Sequence, residues 1–132
     1  MQMLHAIPAL PVAEMPRSIA FYRDKLGFRV IHHDEGFAIV QRDAVTLHLW
    51  EASDQGWRSR SATNPVVSGA ESFIAGTASC RIAVDDVDVL HDELEPQGIL
   101  HPKGQLSDQP WGSREFAITD PDNNLVTFFR RT

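Results

Sequence analysis

The chain echoes itself, and no other feature limits its possible folds as much. Phe37-Ala38-Ile39 is matched by Phe116-Ala117-Ile118, and each is followed within a few residues by an acidic turn and an apolar strand pattern. Lys25-Leu26-Gly27-Phe28 is echoed by Pro96-Gln97-Gly98-Ile99, where a glycine stops a helical pattern in both cases. Internal similarity of this kind means that each half must build the same supersecondary unit.

The first half reads as a strand over residues 4–12, interrupted by Pro8 and Pro11. Those prolines remove backbone donors and place the strand at a sheet edge or a subunit junction. A helix follows over 16–26: proline suits its first turn, and Ile19, Tyr22, Arg23 and Leu26 keep a helical period. Strands near 28–33, 36–41 and 45–51 are separated by Asp34-Glu35-Gly36 and Arg42-Asp43-Ala44, which suit hairpin turns. The second half reads as a strand over 79–85, a helix over 87–95, and strands near 99–102, 113–119 and 124–130. The fold class is therefore α+β, two tandem βαβββ modules. Packed side by side they would form an incompletely closed, barrel-like cleft, where a small-molecule site is expected. One domain over 1–132 results, with module one at 1–51, a connecting loop at 52–77 and module two at 78–132. The loop is polar and without period, is long for a connection in a compact domain, and includes Trp57 and Phe73.

Charge narrows the possible partners. Eighteen acidic against 12 basic residues give a net charge of −6, which disfavours nucleic acid, because phosphate binding needs clustered Lys and Arg. Arg42, Arg58 and Arg60 are too sparse for such a face. An acidic balance favours a cationic ligand, although solubility alone also produces one. No apolar run approaches the roughly 18 to 20 residues of a membrane span, and Met1-Gln2-Met3-Leu4-His5 has no signal-peptide pattern. A single cysteine, Cys80, forms no internal disulfide and suits a reducing cytoplasm.

The run Ile19-Ala-Phe-Tyr-Arg-Asp-Lys-Leu-Gly-Phe28, with Asp120-Pro-Asp-Asn-Asn124, resembles the vicinal oxygen chelate superfamily of glyoxalases and bleomycin-resistance proteins. The narrower resemblance is to the bleomycin-resistance proteins. It rests on Gln109-Pro-Trp-Gly-Ser-Arg-Glu-Phe-Ala117, on Phe37-Ala38, on Arg42-Asp43-Ala-Val-Thr-Leu47 and on Pro8. The superfamily's enzymes place His, Glu or Gln metal ligands on inward strand positions. Here those positions fall on Ile7, Ser79 and Thr127, with only His48 chemically suited. One imidazole cannot make the three-ligand open site of a catalytic divalent metal, so no metal, cofactor or catalytic residue is expected. His48 then reads as a polar cleft residue or as a hydrogen-bonded structural histidine. Cys80 alternates with Ser79 and Arg81 and reads as a buried, inert thiol. His32 and His33 are adjacent on a strand and point to opposite faces.

The resemblance implies instead a site for large ring systems. Phe37 and Trp111, the latter followed by Gly112, would form a stacking pair, contributed by the two different subunits, on the flat heteroaromatic tail of a bleomycin-type cationic antibiotic. His48, Trp50 and Phe129 complete the ligand-binding set. Asp34, Glu35 or Asp108 would meet the ligand's cationic groups. The resemblance also implies a homodimer that exchanges its first strand with Pro8 as hinge. The expected activity is stoichiometric sequestration. Two alternatives stay open: a divalent-metal lyase, thiol transferase or dioxygenase with a rearranged ligand set (His48 with His5 or Glu115), and a metabolite-binding sensor.

Overall fold

Strict alternation along two neighbouring strands shapes the first half of the molecule. In β3 (Phe37–Arg42) and β4 (Val45–Glu51) the residues Ala38, Val40, Leu47 and Leu49 are buried, while Phe37, Ile39, His48 and Trp50 are half-buried on the opposite face. A period of two sends successive side chains to opposite faces. The buried face packs against α1 (Met15–Ala20), whose Met15 and Ile19 are buried with it. The computed structural model describes residues 1–52 and 78–132, which fall into two compact units, Met1–Ile74 and Ala75–Thr132. Apart from residue 52, the expected connecting loop lies outside the described residues, as do Trp57, Arg58, Arg60 and Phe73.

The first unit is a four-stranded sheet in the order β1-β4-β3-β2, with β1 at Ala9–Val12 and β2 at Arg29–His33. β1 runs parallel to β4 and lies at the sheet edge, where Pro11 needs no ladder bond. The strand is shorter than expected: it starts at Ala9, and the Pro8 carbonyl accepts from His48 N–H at 3.0 Å just before it. Residues 1–7 are exposed. The helix also differs, since Phe21–Lys25 forms a π-helical turn closed by Leu26 N–H on the Phe21 carbonyl. Phe21, Tyr22 and Leu26 all reach the core from this stretch. Gly27, at φ +72°, ends it, and Arg42 Nη1 donates to the Leu26 carbonyl at 2.8 Å.

The second unit repeats the plan in the order β5-β8-β7-β6, with β5 at Ser79–Ala83, α2 at Val87–Leu94, β6 at Ser107–Gln109, β7 at Ser113–Thr119 and β8 at Leu125–Arg131. Both units have the βαβββ order, each sheet stays open, and no described helix is long and apolar enough to cross a membrane. The strand expected near 99–102 is reduced to one bridge, Leu100 to Ile118, and the regular strand is β6. Pro102 lacks a donor, and the chain bulges there: His101 N–H donates to the Ala117 carbonyl and Ala117 N–H to the Gly104 carbonyl, each at 2.9 Å, with Gly104 so close that a Cβ on it would come within 2.6 Å of the Ala117 Cβ. The letter echo is also one residue out of phase: Phe37 is half-buried on the face away from the helix, whereas Phe116 packs on His91 of α2 with ring centroids 5.2 Å apart.

Candidate functional site

On the first unit, β3 and β4 present a row of rings on the face away from α1. The register sets Phe37 opposite Trp50 and Ile39 opposite His48. Phe37 meets Trp50 at 4.4 Å between centroids and His48 edge-on at 5.0 Å, with His32 at 6.0 Å. Offset and edge-on pairs of this kind are the favoured aromatic geometries. His32 and His33 do fall on different faces. A bulge beside Ile31 restores the pairing of His32 with Ile39 and of His33 with Ala38. Asp34 accepts from Gly36 N–H at 3.0 Å, and that bond above all holds its carboxyl below the ordinary range. Its first task is thus to close a turn. A separate hollow of about 590 Å³ lies beside α1, between Met15, Ile19 and His33, away from this row.

On the second unit, charged and aromatic groups share the face away from α2. Glu115 is only 8% exposed and stands opposite Phe129 in the β7–β8 register. Its Oε2 accepts from Arg81 Nη2 at 2.7 Å, from Ser113 Oγ at 2.6 Å and from Trp111 Nε1 at 3.4 Å, and Arg81 Nη1 donates to Oε1 at 3.3 Å. The Arg81 guanidinium lies over the Phe129 ring, 4.6 Å from its centroid. The bonds from Arg81 above all hold the Glu115 carboxyl below its ordinary pKa, against the opposing effect of burial. Trp111 is 64% exposed, and Gly112 after it adopts φ +86° to turn the chain into β7. A hollow of about 370 Å³ beside them is lined by Lys103, Ser107, Gln109, Trp111, Glu115 and Thr127.

The structure therefore gathers the expected residues into two groups, Phe37, His48 and Trp50 on one sheet and Trp111, Gly112 and Phe129 on the other. Asp108 is exposed and already paired with Arg114 at 3.4 Å. Cys80 lies on the Ile82 side of β5, and burial, with the nearby Asp120, pushes its thiol up to about 11. Sequence reasoning singled out neither Ser113 nor the Arg81–Glu115 pair. A signal was available for Ser113 alone, because 113 and 115 share a strand face and carry donor and acceptor chemistry beside a tryptophan.

Residues 2–128 match the profile of the Glyoxalase/Bleomycin resistance protein/Dioxygenase superfamily. The chain belongs to that superfamily. A bleomycin resistance protein of Geobacillus stearothermophilus is 59% identical over 129 residues, covering 98% of each chain. The crystal structure of a bleomycin-binding protein from Streptomyces verticillus, complexed with copper(II)-bleomycin, matches at TM-score 0.72 with 29% identity over 97% of this chain and 96% of that one. A lactoylglutathione lyase of Agrobacterium tumefaciens shares the fold at TM-score 0.72 and 22% identity, covering 98% of this chain and 94% of that one. The fold of the superfamily thus carries both binding and enzymatic members, and only site residues separate them.

Among the described residues, the positions that carry the metal in the superfamily's enzymes offer no fitting donor set. Ile7 lies before β1 and is 40% exposed, Ser79 opens β5 and Thr127 is buried in β8; none offers an imidazole or carboxylate. Glu115, the one carboxylate of the rearranged set, has both oxygens engaged by Arg81. Among the described residues, the group of three closest to ligating geometry is His91, Asp92 and Glu95, on α2 and its following turn rather than on the open face.

Proposed function

We propose that the chain is an antibiotic-binding resistance protein that holds a bleomycin-type drug stoichiometrically, so that it cannot reach DNA, and does no chemistry on it. The observation that carries this reading is the 59% identity, over 98% of both chains, to a bleomycin resistance protein. The Streptomyces protein crystallised with copper(II)-bleomycin supports it from the side of structure. The drug's flat rings stack on Phe37 and Trp111, with His48, Trp50, Gly112 and Phe129 completing the contact set. Each ring contact contributes about 0.5 to 1.5 kcal/mol beyond area burial.

The same reading includes a single domain of two modules, a cytoplasmic location and a homodimer that exchanges its first strand about Pro8. The exposed arm supports the dimer: Met1, Met3 and Leu4 are 109%, 93% and 82% exposed and Ile7 40%, apolar surface that a second chain would cover. The test of sequestration is to incubate bleomycin with an equal number of chains, denature the protein and weigh the released drug. An unchanged mass and fully recovered DNA cleavage are expected. A modified drug, or protection of DNA by far fewer chains than drug molecules, would place the protein among the enzymes.

A further inference from the structure

Trp111 raises a physical problem that the contact set alone does not solve. A side chain 64% exposed at a turn is free to sample several rotamers. A stacking surface that must first be ordered loses affinity in proportion to the disorder it gives up. The indole is nevertheless tethered at one atom, since its Nε1–H donates to Glu115 Oε2. That oxygen is itself fixed, because Ser113 Oγ and Arg81 Nη2 donate to it at 2.6 and 2.7 Å and the residue is 8% exposed. Arg81 in turn rests on Phe129. A continuous line of contacts thus runs from Trp111 through Glu115 and Arg81 to Phe129, joining two rings on the face away from α2.

We propose that Glu115 is a positioning residue, which with Arg81 locks Trp111 and Phe129 into one preformed surface for a flat, electron-poor ring. The inference rests on the reading that Trp111 contacts the drug. It assigns Glu115 no contact with the ligand. The charge of the carboxylate is spent on Arg81, and its bond to Trp111 sets the plane of the indole. Electron-rich indole faces favour electron-poor or cationic partners, which gives the fixed plane its chemical preference.

The test labels the tryptophans with ¹⁵N and follows the Trp111 indole N–H, identified by its loss in Trp111→Phe, in the ligand-free protein. Glu115→Gln keeps an acceptor and a similar shape. It should leave the Trp111 resonance dispersed and slowly relaxing, with the affinity for metal-free bleomycin within about threefold. Glu115→Leu removes the acceptor; it should move the resonance to the free-indole position, sharpen it and weaken metal-free bleomycin about tenfold. Should Glu115→Leu fail to fold with Arg81 left unpaired, the double variant Arg81→Met, Glu115→Leu is read in its place. A folded leucine variant whose Trp111 resonance neither shifts nor gains mobility overturns the proposal, as does a folded glutamine variant whose resonance moves to the free-indole position and sharpens. The parent reading fails separately, by a Trp111→Ala protein that binds metal-free bleomycin as well as wild type.

Discussion

Glu115 shows how one side chain couples stability to pH in this fold. Its carboxyl is held below the ordinary range chiefly by Arg81, so the charged form is the one that the folded state favours. A depressed carboxylate contributes stability that is present above its unfolded pKa, about 4.3, and is lost as pH falls through the folded value. We expect urea midpoints to be flat from neutrality down to about pH 5 as far as Glu115 is concerned, then to fall more steeply in wild type than in Glu115→Gln. Equal slopes below pH 4 in the two proteins would remove Glu115 from the acid transition. Asp88 and Asp34 titrate in the same direction, the first because Arg114 clamps it and the second because it caps a turn. The glutamine difference, rather than the total slope, therefore isolates Glu115. Cys80 adds nothing near neutrality, because burial keeps its thiol protonated up to about pH 11.

Elements were legible in the sequence where one period governed and illegible where two constraints competed. β3 and β4 could be read because alternation alone decides which of Phe37 to Trp50 enters the core. α1 was only half legible: Ile19, Tyr22 and Leu26 suggest a regular helix, and nothing in their spacing signals the π-helical turn at Phe21–Lys25. The strand expected near 99–102 gives way to a bulge at Pro102 and a close approach of Gly104 to Ala117, and a regular strand forms only from Ser107. Gly104 offers a direct check on that account. Gly104→Ala would bring a Cβ within 2.6 Å of the Ala117 Cβ and 3.1 Å of its backbone nitrogen, an overpacking that costs about 1 to 3 kcal/mol. Chemical denaturation should show that loss, and an alanine variant as stable as wild type would mean that the 101–106 loop is free to move off β7. In the candidate site, the rings were legible because Trp111 and Phe37 lie in recognisable motifs. The Arg81–Glu115 pair was not, because a contact spanning 34 residues needs the β5-β8-β7 strand order before it becomes visible.

At the scale of the whole molecule, two open sheets of one plan carry different chemistry on the faces turned away from their own helices. The first offers rings and imidazoles; the second offers a tethered indole backed by a neutralised ion pair. The chain carries a net charge of −6, which suits a cationic guest by long-range attraction. The exposed apolar arm predicts that the purified protein runs as two chains in light scattering and that removing residues 1–8 shifts it towards one. A full-length protein that stays single at high concentration would contradict the exchanged strand. The most direct test of the central claim is calorimetric titration with metal-free bleomycin. One drug per chain, bound with Kd below about 10 μM, or about 7 kcal/mol, is the predicted result. No binding by a folded protein at that concentration would contradict it.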